Sequence, residues 1–168
     1  MKLHAGHGIL LAFVAPVLLA FIVLKFEWFE GGATSGGVFL DKPLLQQNWQ
    51  QGAWQHKWAV FGICDAHCDA MQSFLARVKT TLGQYQSRVV GVAVGPSAPS
   101  VDAQGIYWQA MLEDLPEGWS QQGTIFVMDP MGQVMLMYPA PLSMEEALAQ
   151  GKAVKSDLYK MLKLSRVG

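Results

Sequence analysis

The stretch WAVFGICDAHC, residues 58–68, decides the fold predicted for this chain. Its first six residues are almost wholly apolar, which is typical of a strand buried on both faces of a sheet. Cys64 and Cys68 come next, and apolar residues then recur at three- and four-residue spacing as far as Leu82. That spacing predicts an amphipathic helix that ends near Gly83. The two cysteines are therefore expected where a central strand runs into its helix.

The cysteine pair has the spacing C-x3-C, which points to redox or metal chemistry. Side chains four residues apart share one face of a helix, so a strand-to-helix turn brings both sulfurs to the helix N-terminus. Backbone N–H groups and the helix dipole there favour thiolate over thiol. Thiolate is the form that attacks a disulfide and the form that binds copper(I). Asp65 and Asp69 oppose this effect, whereas a protonated His67 supports it.

Several interpretations of the pair are compatible with these residues. The sulfurs can join in a reversible disulfide, or they can hold one copper(I) ion with His67 or Met131 as a further ligand. A zinc site that adds His67 and His56 to the two cysteines is a third interpretation. In the fourth, the two cysteines pack in the core and have no chemical role.

The remaining segments predict an α/β domain with a central mixed sheet. Further strands are expected over residues 88–94, 124–128 and 133–138, and further helices over 102–114, 144–150 and 154–164. The DPMG sequence between the last two strands has the proline and glycine of a tight turn. The order strand, helix, strand, helix, hairpin, helix is the thioredoxin arrangement, a three-layer fold.

The N-terminal region predicts a membrane anchor. Residues 8–24, GILLAFVAPVLLAFIVL, are seventeen residues without a charge, close to the ~20 that a bilayer core requires. A cleaved signal peptide is the alternative, but the bulky, charged KFEWFEGG that follows does not resemble a cleavage site. The predicted organisation is one transmembrane helix within residues 1–30, a linker and approach segment over 31–52, and the thioredoxin-like domain over 53–168.

Charge excludes one class of partner and leaves the topology of the anchor open. The chain has 12 basic and 13 acidic side chains, without the concentrated basic face that a phosphate backbone attracts, so nucleic acid is not an expected partner. Lys2 and Lys25 flank the anchor and barely discriminate its orientation. The few residues before the anchor can stay in the cytoplasm while the large domain is translocated, and this arrangement suits the cysteine pair. We therefore expect a single-pass protein of the inner (cytoplasmic) membrane whose soluble domain faces the periplasm.

With these features the sequence resembles the Sco/SenC family of membrane-anchored copper chaperones and thiol-disulfide proteins, which serve assembly of the binuclear copper centre of cytochrome c oxidase. The resemblance rests on the anchor, on Cys64-x3-Cys68 after an apolar strand, and on TIFVMDPMG at residues 124–132. It implies a thioredoxin-like fold and copper binding by two cysteines and a distal histidine. Gln121 stands where that histidine is expected, and Gly123 stands near the position of the cis-proline of thioredoxins.

The resemblance and the missing histidine together favour thiol-disulfide exchange. The enzyme class this implies is a thiol-disulfide oxidoreductase with Cys64 and Cys68 as its catalytic residues. We expect it to keep the cysteines of an oxidase subunit or of another assembly protein reduced, so that copper can enter. The alternatives are a chaperone that binds copper(I) through Cys64, Cys68 and His67 and delivers it to the oxidase, and a non-catalytic assembly factor.

Overall fold

The computed structural model of the chain describes residues 5–25, 35–45, 54–65, 68–98, 105–110, 115 and 118–167. The chain divides into two compact units, Met1–Thr34 and Ser35–Gly168. The N-terminal unit contains helix α1, Ala5–Lys25. Among the residues described, no helix has both the length and the apolar character needed to cross a membrane.

The C-terminal unit is built on a six-stranded mixed sheet. Its strands are β1 Val38–Leu45, β2 Trp58–Ile63, β3 Val89–Val94, β4 Ile106–Gln109, β5 Ile125–Met128 and β6 Gln133–Tyr138. Its helices are α2 Asp69–Thr81 and α3 Met144–Leu164, and a 3₁₀ turn covers Gly83–Arg88. In space the strand order is β1-β6-β5-β2-β3-β4. Strands β2, β3 and β4 run parallel, and the remaining pairs are antiparallel.

Each face of the sheet carries an apolar core. Helices α2 and α3 lie on one face, where they bury Leu75, Leu158 and both cysteines. The opposite face is covered by Trp54 and by Trp119, whose ring stacks on Phe126 at 4.8 Å between centroids. Strands β2, β3 and β5 are buried along their whole length, which explains why their sequences are apolar without alternation. The predicted α/β fold with a central mixed sheet is thereby confirmed.

The prediction of a helix over residues 102–114 is wrong. Residues Ile106–Gln109 form strand β4, which pairs in parallel with β3 and places Ile106 opposite Gly91. The sequence of β4, IYWQ, is rich in the β-branched and aromatic types that favour strands. The edge of β3 supplies the hydrogen-bond partners of β4. The spacing of apolar residues in the sequence does not reveal this pairing. Residues 102–104 and 111–114 of the predicted helix lie outside the described residues.

The C-terminal helix is also longer than predicted. Residues 144–150 and 154–164 are expected to form separate helices, but α3 is a single helix that continues through Gly151. An interior glycine costs a helix about 1 kcal/mol relative to alanine. Gly151 nevertheless allows the ring of Phe74 to pack closely against α3, and the buried Leu158 holds the following turns on the sheet. Tertiary packing thus outweighs the local propensity.

Strand β1 lies in the part of the sequence assigned to the linker and approach segment, and Asp157 of α3 fixes its start. The Asp157 Oδ2 atom accepts hydrogen bonds from the backbone N–H of Gly36 at 2.8 Å and of Gly37 at 3.3 Å. It also accepts one from the Tyr138 hydroxyl at 3.0 Å. Because these donors converge on one buried carboxylate, residues 35–37, which were predicted to belong to the linker, are held against the domain.

Candidate thiol-disulfide site

Cys64 and Cys68 form a disulfide at the junction of β2 and α2. Their Cα atoms are 5.2 Å apart, within the range that a disulfide spans. The Cys64 N–H donates to the Val94 carbonyl at 2.8 Å, which extends the β2–β3 pairing by one residue. Cys68 is the N-cap of α2, and its carbonyl accepts the Gln72 N–H at 2.9 Å. The predicted placement of both cysteines at the strand-helix junction is therefore confirmed.

The disulfide is shielded from solvent. Cys64 is 4% exposed and Cys68 is 0% exposed. The Cys64 Sγ atom lies 3.1 Å from the Val94 carbonyl oxygen. A disulfide sulfur carries no hydrogen, so this is a close contact in the oxidised form, whereas a Cys64 thiol can donate a hydrogen bond to the same oxygen. The oxidised pair thus offers only the edge of Cys64 to an approaching thiol.

Gly95 covers the disulfide from the β3 side. The Gly95 N–H donates to the Gln109 carbonyl at 3.1 Å, which ties this residue to β4. A Cβ atom at Gly95 would lie 2.7 Å from the Cys68 sulfur and 2.8 Å from the Cys64 sulfur. Gly95 is not among the site residues predicted from the sequence. Its signal was a Gly-Pro pair directly after a buried strand, but only the register of β2 against β3 brings it to the sulfurs.

The turn before β5 lies beside the site. The Gly123 N–H donates to the Ile63 carbonyl at 2.9 Å, and the Ile63 N–H donates to the Thr124 carbonyl at 2.9 Å. The peptide bonds in this turn are trans, and Gly123 has φ +87°, a left-handed conformation that favours glycine. Gln150 of α3 supports the turn, because its Nε2 donates to the Gly123 carbonyl at 3.0 Å. The position expected to hold a cis-proline is thus a left-handed glycine held from α3.

Gln121, the residue at the expected position of the distal histidine, lies in this same turn. Its carbonyl accepts the Thr124 N–H at 3.1 Å, and its side chain is exposed. The hydrogen bonds between Ile63 and the turn place Gln121 at the end of the sheet where Cys64 is found. His67 lies outside the described residues, so its assignment as a metal ligand stays a prediction.

His56 and Met131 are at the opposite end of the sheet from the cysteines. His56 precedes β2 and Cys64 follows it, and six extended residues span about 20 Å. Met131 lies in the β5–β6 turn, and the pairing of Met128 with Ala59 puts this turn at the start of β2. The zinc site with His56 and the copper ligand role of Met131 are therefore excluded. Within the described ranges, no group of three His, Cys, Asp or Glu residues could hold a metal ion.

The sequence pattern of a known family, described as transmembrane-like, thioredoxin-like, C-terminal domain, matches residues 54–165. This chain belongs to that family. The matched range of the thioredoxin-like domain starts before β2, includes the cysteine pair and ends just after α3. No curated protein matches the chain.

Solved structures that resemble this thioredoxin-like protein include Sco proteins. A SCO1/SenC family lipoprotein from Bacillus anthracis is 15% identical, with a TM-score of 0.41 over 66% of this chain and 82% of that one. BsSco, a member of the Sco family of cytochrome c oxidase assembly proteins with a disulfide switch, is 10% identical, with a TM-score of 0.45 over 78% and 97%. ScoI of Bradyrhizobium japonicum with copper bound is 14% identical, with a TM-score of 0.35 over 59% and 85%. The predicted Sco/SenC relatives are thus among the structures that this chain resembles.

Proposed function

We propose that this chain is a thiol-disulfide exchange protein whose Cys64–Cys68 pair alternates between disulfide and dithiol. The observation that carries the proposal is the disulfide at the junction of β2 and α2. Two sulfurs only four residues apart close a small ring, so a thiol released by exchange stays beside its partner sulfur. A disulfide that serves stability gains more by closing a long loop. The short ring therefore supports a redox role over a structural one.

In the proposed reaction, two electrons pass from this chain to a partner disulfide. The Cys64 thiolate attacks one partner sulfur, which forms a mixed disulfide and releases the other partner sulfur as a thiolate. The Cys68 thiolate then attacks Cys64, and the second partner sulfur leaves. The two partner thiolates take up the two protons lost from Cys64 and Cys68. This chain is left as the disulfide, and a dithiol protein of the same compartment supplies two electrons to reduce it again.

Cys64 is the proposed attacking residue because of its position and exposure. It lies in the turn after β2 and keeps a small exposed fraction, whereas Cys68 is fully buried at the start of α2. Helix N-terminal N–H groups favour a thiolate on Cys68 once the disulfide opens. This arrangement suits Cys68 to the second step, in which its sulfur displaces the partner from Cys64.

The proposed role is to keep cysteines of a copper-binding partner reduced during assembly of a respiratory cytochrome c oxidase. Its support is the resemblance of the sequence to Sco/SenC proteins, together with the absence of a histidine at position 121. Exchange needs only two sulfurs, whereas copper delivery of the family type needs a third ligand. The proposed partner is an oxidase subunit or another assembly protein.

We also propose that helix α1 attaches the chain to the inner (cytoplasmic) membrane, with the thioredoxin-like domain in the periplasm. The support is the uncharged run over residues 8–24 and the exposure of apolar α1 side chains such as Phe13, Val17 and Phe21. Fusing a reporter that is active only outside the cytoplasm after Gly168 should give signal, and extraction should need detergent. A signal from the reciprocal, cytoplasm-active reporter would contradict this location.

Copper(I) binding is the second candidate function, because the two sulfurs are close enough to share one soft ion. Two thiolates can hold copper(I) in a near-linear site without a histidine. In this case the metal is the cargo that the protein delivers. Stoichiometric copper(I) bound by the dithiol form, with loss in Cys64→Ser and in Cys68→Ser, would favour delivery over exchange.

The test of the exchange proposal uses the full chain in detergent. Alkylation of the denatured protein should label no cysteine before reduction and two cysteines after treatment with dithiothreitol. When the reduced protein is treated with oxidised dithiothreitol before alkylation, the disulfide should form again and no cysteine should be labelled. The reduced, folded protein should then transfer electrons to a small disulfide substrate. Thiols that stay unreactive in the folded, reduced protein would contradict the exchange proposal. The result would favour the alternative function, a non-catalytic assembly factor.

A further inference from the structure

The backbone of Gly95 approaches the disulfide more closely than any residue with a side chain could. A Cβ atom there would lie 2.7 Å and 2.8 Å from the two sulfurs and 3.0 Å from the Cys64 carbonyl oxygen, whereas ordinary contacts start at 3.4 Å. Gly95 does not have a left-handed φ, unlike Gly105, Gly118 and Gly123. An alanine can therefore adopt the backbone conformation of Gly95. The need for glycine at this position comes mainly from the two sulfurs, which are the nearest atoms, and less from the Cys64 carbonyl oxygen.

This crowding acts on one redox form. In the disulfide, a covalent bond fixes both sulfurs at their positions under Gly95. In the dithiol the bond is gone, and the side chains of Cys64 and Cys68 can each rotate about χ1 independently of the other. A methyl group at residue 95 would therefore crowd the oxidised pair more than the reduced pair, in which only the 3.0 Å contact with the Cys64 carbonyl oxygen is fixed.

We propose that Gly95 is a positioning residue that sets the balance between disulfide and dithiol at this site. The absence of a side chain at residue 95 permits the disulfide, and a side chain there favours the dithiol. The equilibrium concerned is the two-electron, two-proton reduction of the Cys64–Cys68 disulfide by an external dithiol, which is itself oxidised to a disulfide. The inference rests on the proposed function, since it assumes that this disulfide forms and is reduced reversibly.

Strand β3 contains a matched control, Gly91. It lies four residues before Gly95, and a Cβ atom there would lie 2.7 Å from Ile106 Cδ1 and 3.0 Å from Leu75 Cβ. Gly91→Ala therefore adds the same methyl group and a similar degree of crowding. Its neighbours are core side chains that are present in both redox forms, so it should destabilise the disulfide and the dithiol equally.

The experiment equilibrates the full chain, in detergent, with mixtures of reduced and oxidised dithiothreitol and counts free thiols by alkylation. Gly95→Ala should shift the equilibrium toward the dithiol by about tenfold, which corresponds to ~30 mV for a two-electron couple. Gly91→Ala should change it by less than about twofold, on the same scale. An unchanged equilibrium in Gly95→Ala, or an equal shift in Gly91→Ala, would overturn the role of Gly95.

A folding measurement covers the case in which Gly95→Ala is poorly stable. Circular dichroism of each variant under reducing and oxidising conditions should show that Gly95→Ala loses stability mainly when oxidised. Equal destabilisation in both conditions would count against the proposal, since the methyl group would then clash with the fold itself. Failure of the proposed function is recognised separately. In that case the unsubstituted protein itself would show no reversible disulfide.

Discussion

The two ends of strand β2 carry residues of different kinds. At its carboxyl end, the Cys64–Cys68 disulfide lies under Gly95 and beside the turn that contains Gln121. At its amino end, the β5–β6 turn is closed by Asp129, whose Oδ1 accepts the N–H of Met131 at 2.9 Å and that of Gln133 at 2.8 Å. The carboxyl end of β2 thus carries two sulfurs that can form or break a disulfide. The amino end carries a carboxylate whose hydrogen bonds stabilise its own turn.

This difference shows how residue type alone misleads about a site. His56 and Met131 are potential copper ligands by chemistry, but both lie at the amino end of β2, about one strand length from the sulfurs. Parallel strands with their connecting helix bring functional groups to the carboxyl ends of the strands. We therefore expect substitutions at the carboxyl end to change redox or metal chemistry, and substitutions at the amino end to change stability alone.

The largest expected effect follows from Cys68→Ser, which should abolish turnover and trap a mixed disulfide through Cys64. Serine has no sulfur to displace the partner, so the first adduct persists. Non-reducing electrophoresis and mass spectrometry of the full chain, after reaction with a disulfide-containing peptide, would detect this adduct. Cys64→Ser is the control and should trap nothing. Equal trapping by both variants would show that either sulfur can attack and would remove the assigned order.

At the amino end, Asp129→Ala should cost about 2 kcal/mol of folding stability, because two backbone N–H groups lose a charged acceptor. Asp129→Asn keeps one acceptor oxygen and should cost less. Chemical denaturation measures both. The disulfide-dithiol equilibrium in dithiothreitol should be the same in these variants as in the native chain. A redox shift would break the distinction between the two ends, since it would couple the β5–β6 turn to the cysteines.

Local patterns predicted the centre of the domain correctly. The apolar runs of β2 and β3, the helical spacing of α2 and the DPMG turn depend on residues close together in the sequence, so they could be read directly. The cysteine pair was placed correctly for the same reason. Strands β1 and β4 were missed because neither has the uninterrupted apolar run of β2 or β3: β1 contains Asp41, Lys42 and Pro43, and β4 is only four residues long.

The surroundings of the cysteines were harder to predict than the cysteines. Gly95 reaches the sulfurs only because Ile63 pairs with Val94 in the parallel β2–β3 register, and no spacing rule in the sequence gives that register. His56 and Met131 were considered as ligands because their side-chain chemistry fits. Their exclusion required the direction of β2 and β5 within the sheet. Residue type suggested the chemistry, and topology decided which residues can take part.

The next effect sharpens the comparison by placing a histidine at each end. Gln121→His should raise copper(II) affinity about tenfold and bring up a thiolate-to-copper absorption band, because copper(II) prefers nitrogen and oxygen donors in a tetragonal site. Met131→His places the same ligand at the far end and should do neither. Optical titration of the reduced, full-length variants measures both quantities. Tight copper(II) binding by the native chain would show that another residue already serves as the distal ligand.

The last expected effect, on stability alone, concerns Tyr138, which lies at the same end of the sheet as the cysteines but has no proposed part in the chemistry. Its hydroxyl donates to Asp157 Oδ2 at 3.0 Å. Burial, and then the charge and the hydrogen bond of Asp157, raise the pKa of Tyr138 above its ordinary value of 10.0. Tyr138→Phe should therefore lose about 1.5 kcal/mol of stability near pH 8, where both the folded and the unfolded tyrosine are protonated.

The pH dependence distinguishes this role from simple loss of packing. Above pH 10 the unfolded tyrosine loses its proton while the folded one keeps it, so native stability falls by up to ~1.4 kcal/mol per pH unit. Phenylalanine has no such term, so the stabilities of the native chain and of Tyr138→Phe should converge near pH 11. Denaturation midpoints at pH 8 and pH 11 measure this, and the other titrating groups cancel between the two proteins. Parallel curves would show that the Tyr138 proton is not held by the fold. An altered disulfide-dithiol equilibrium in Tyr138→Phe would instead extend the redox site as far as Asp157.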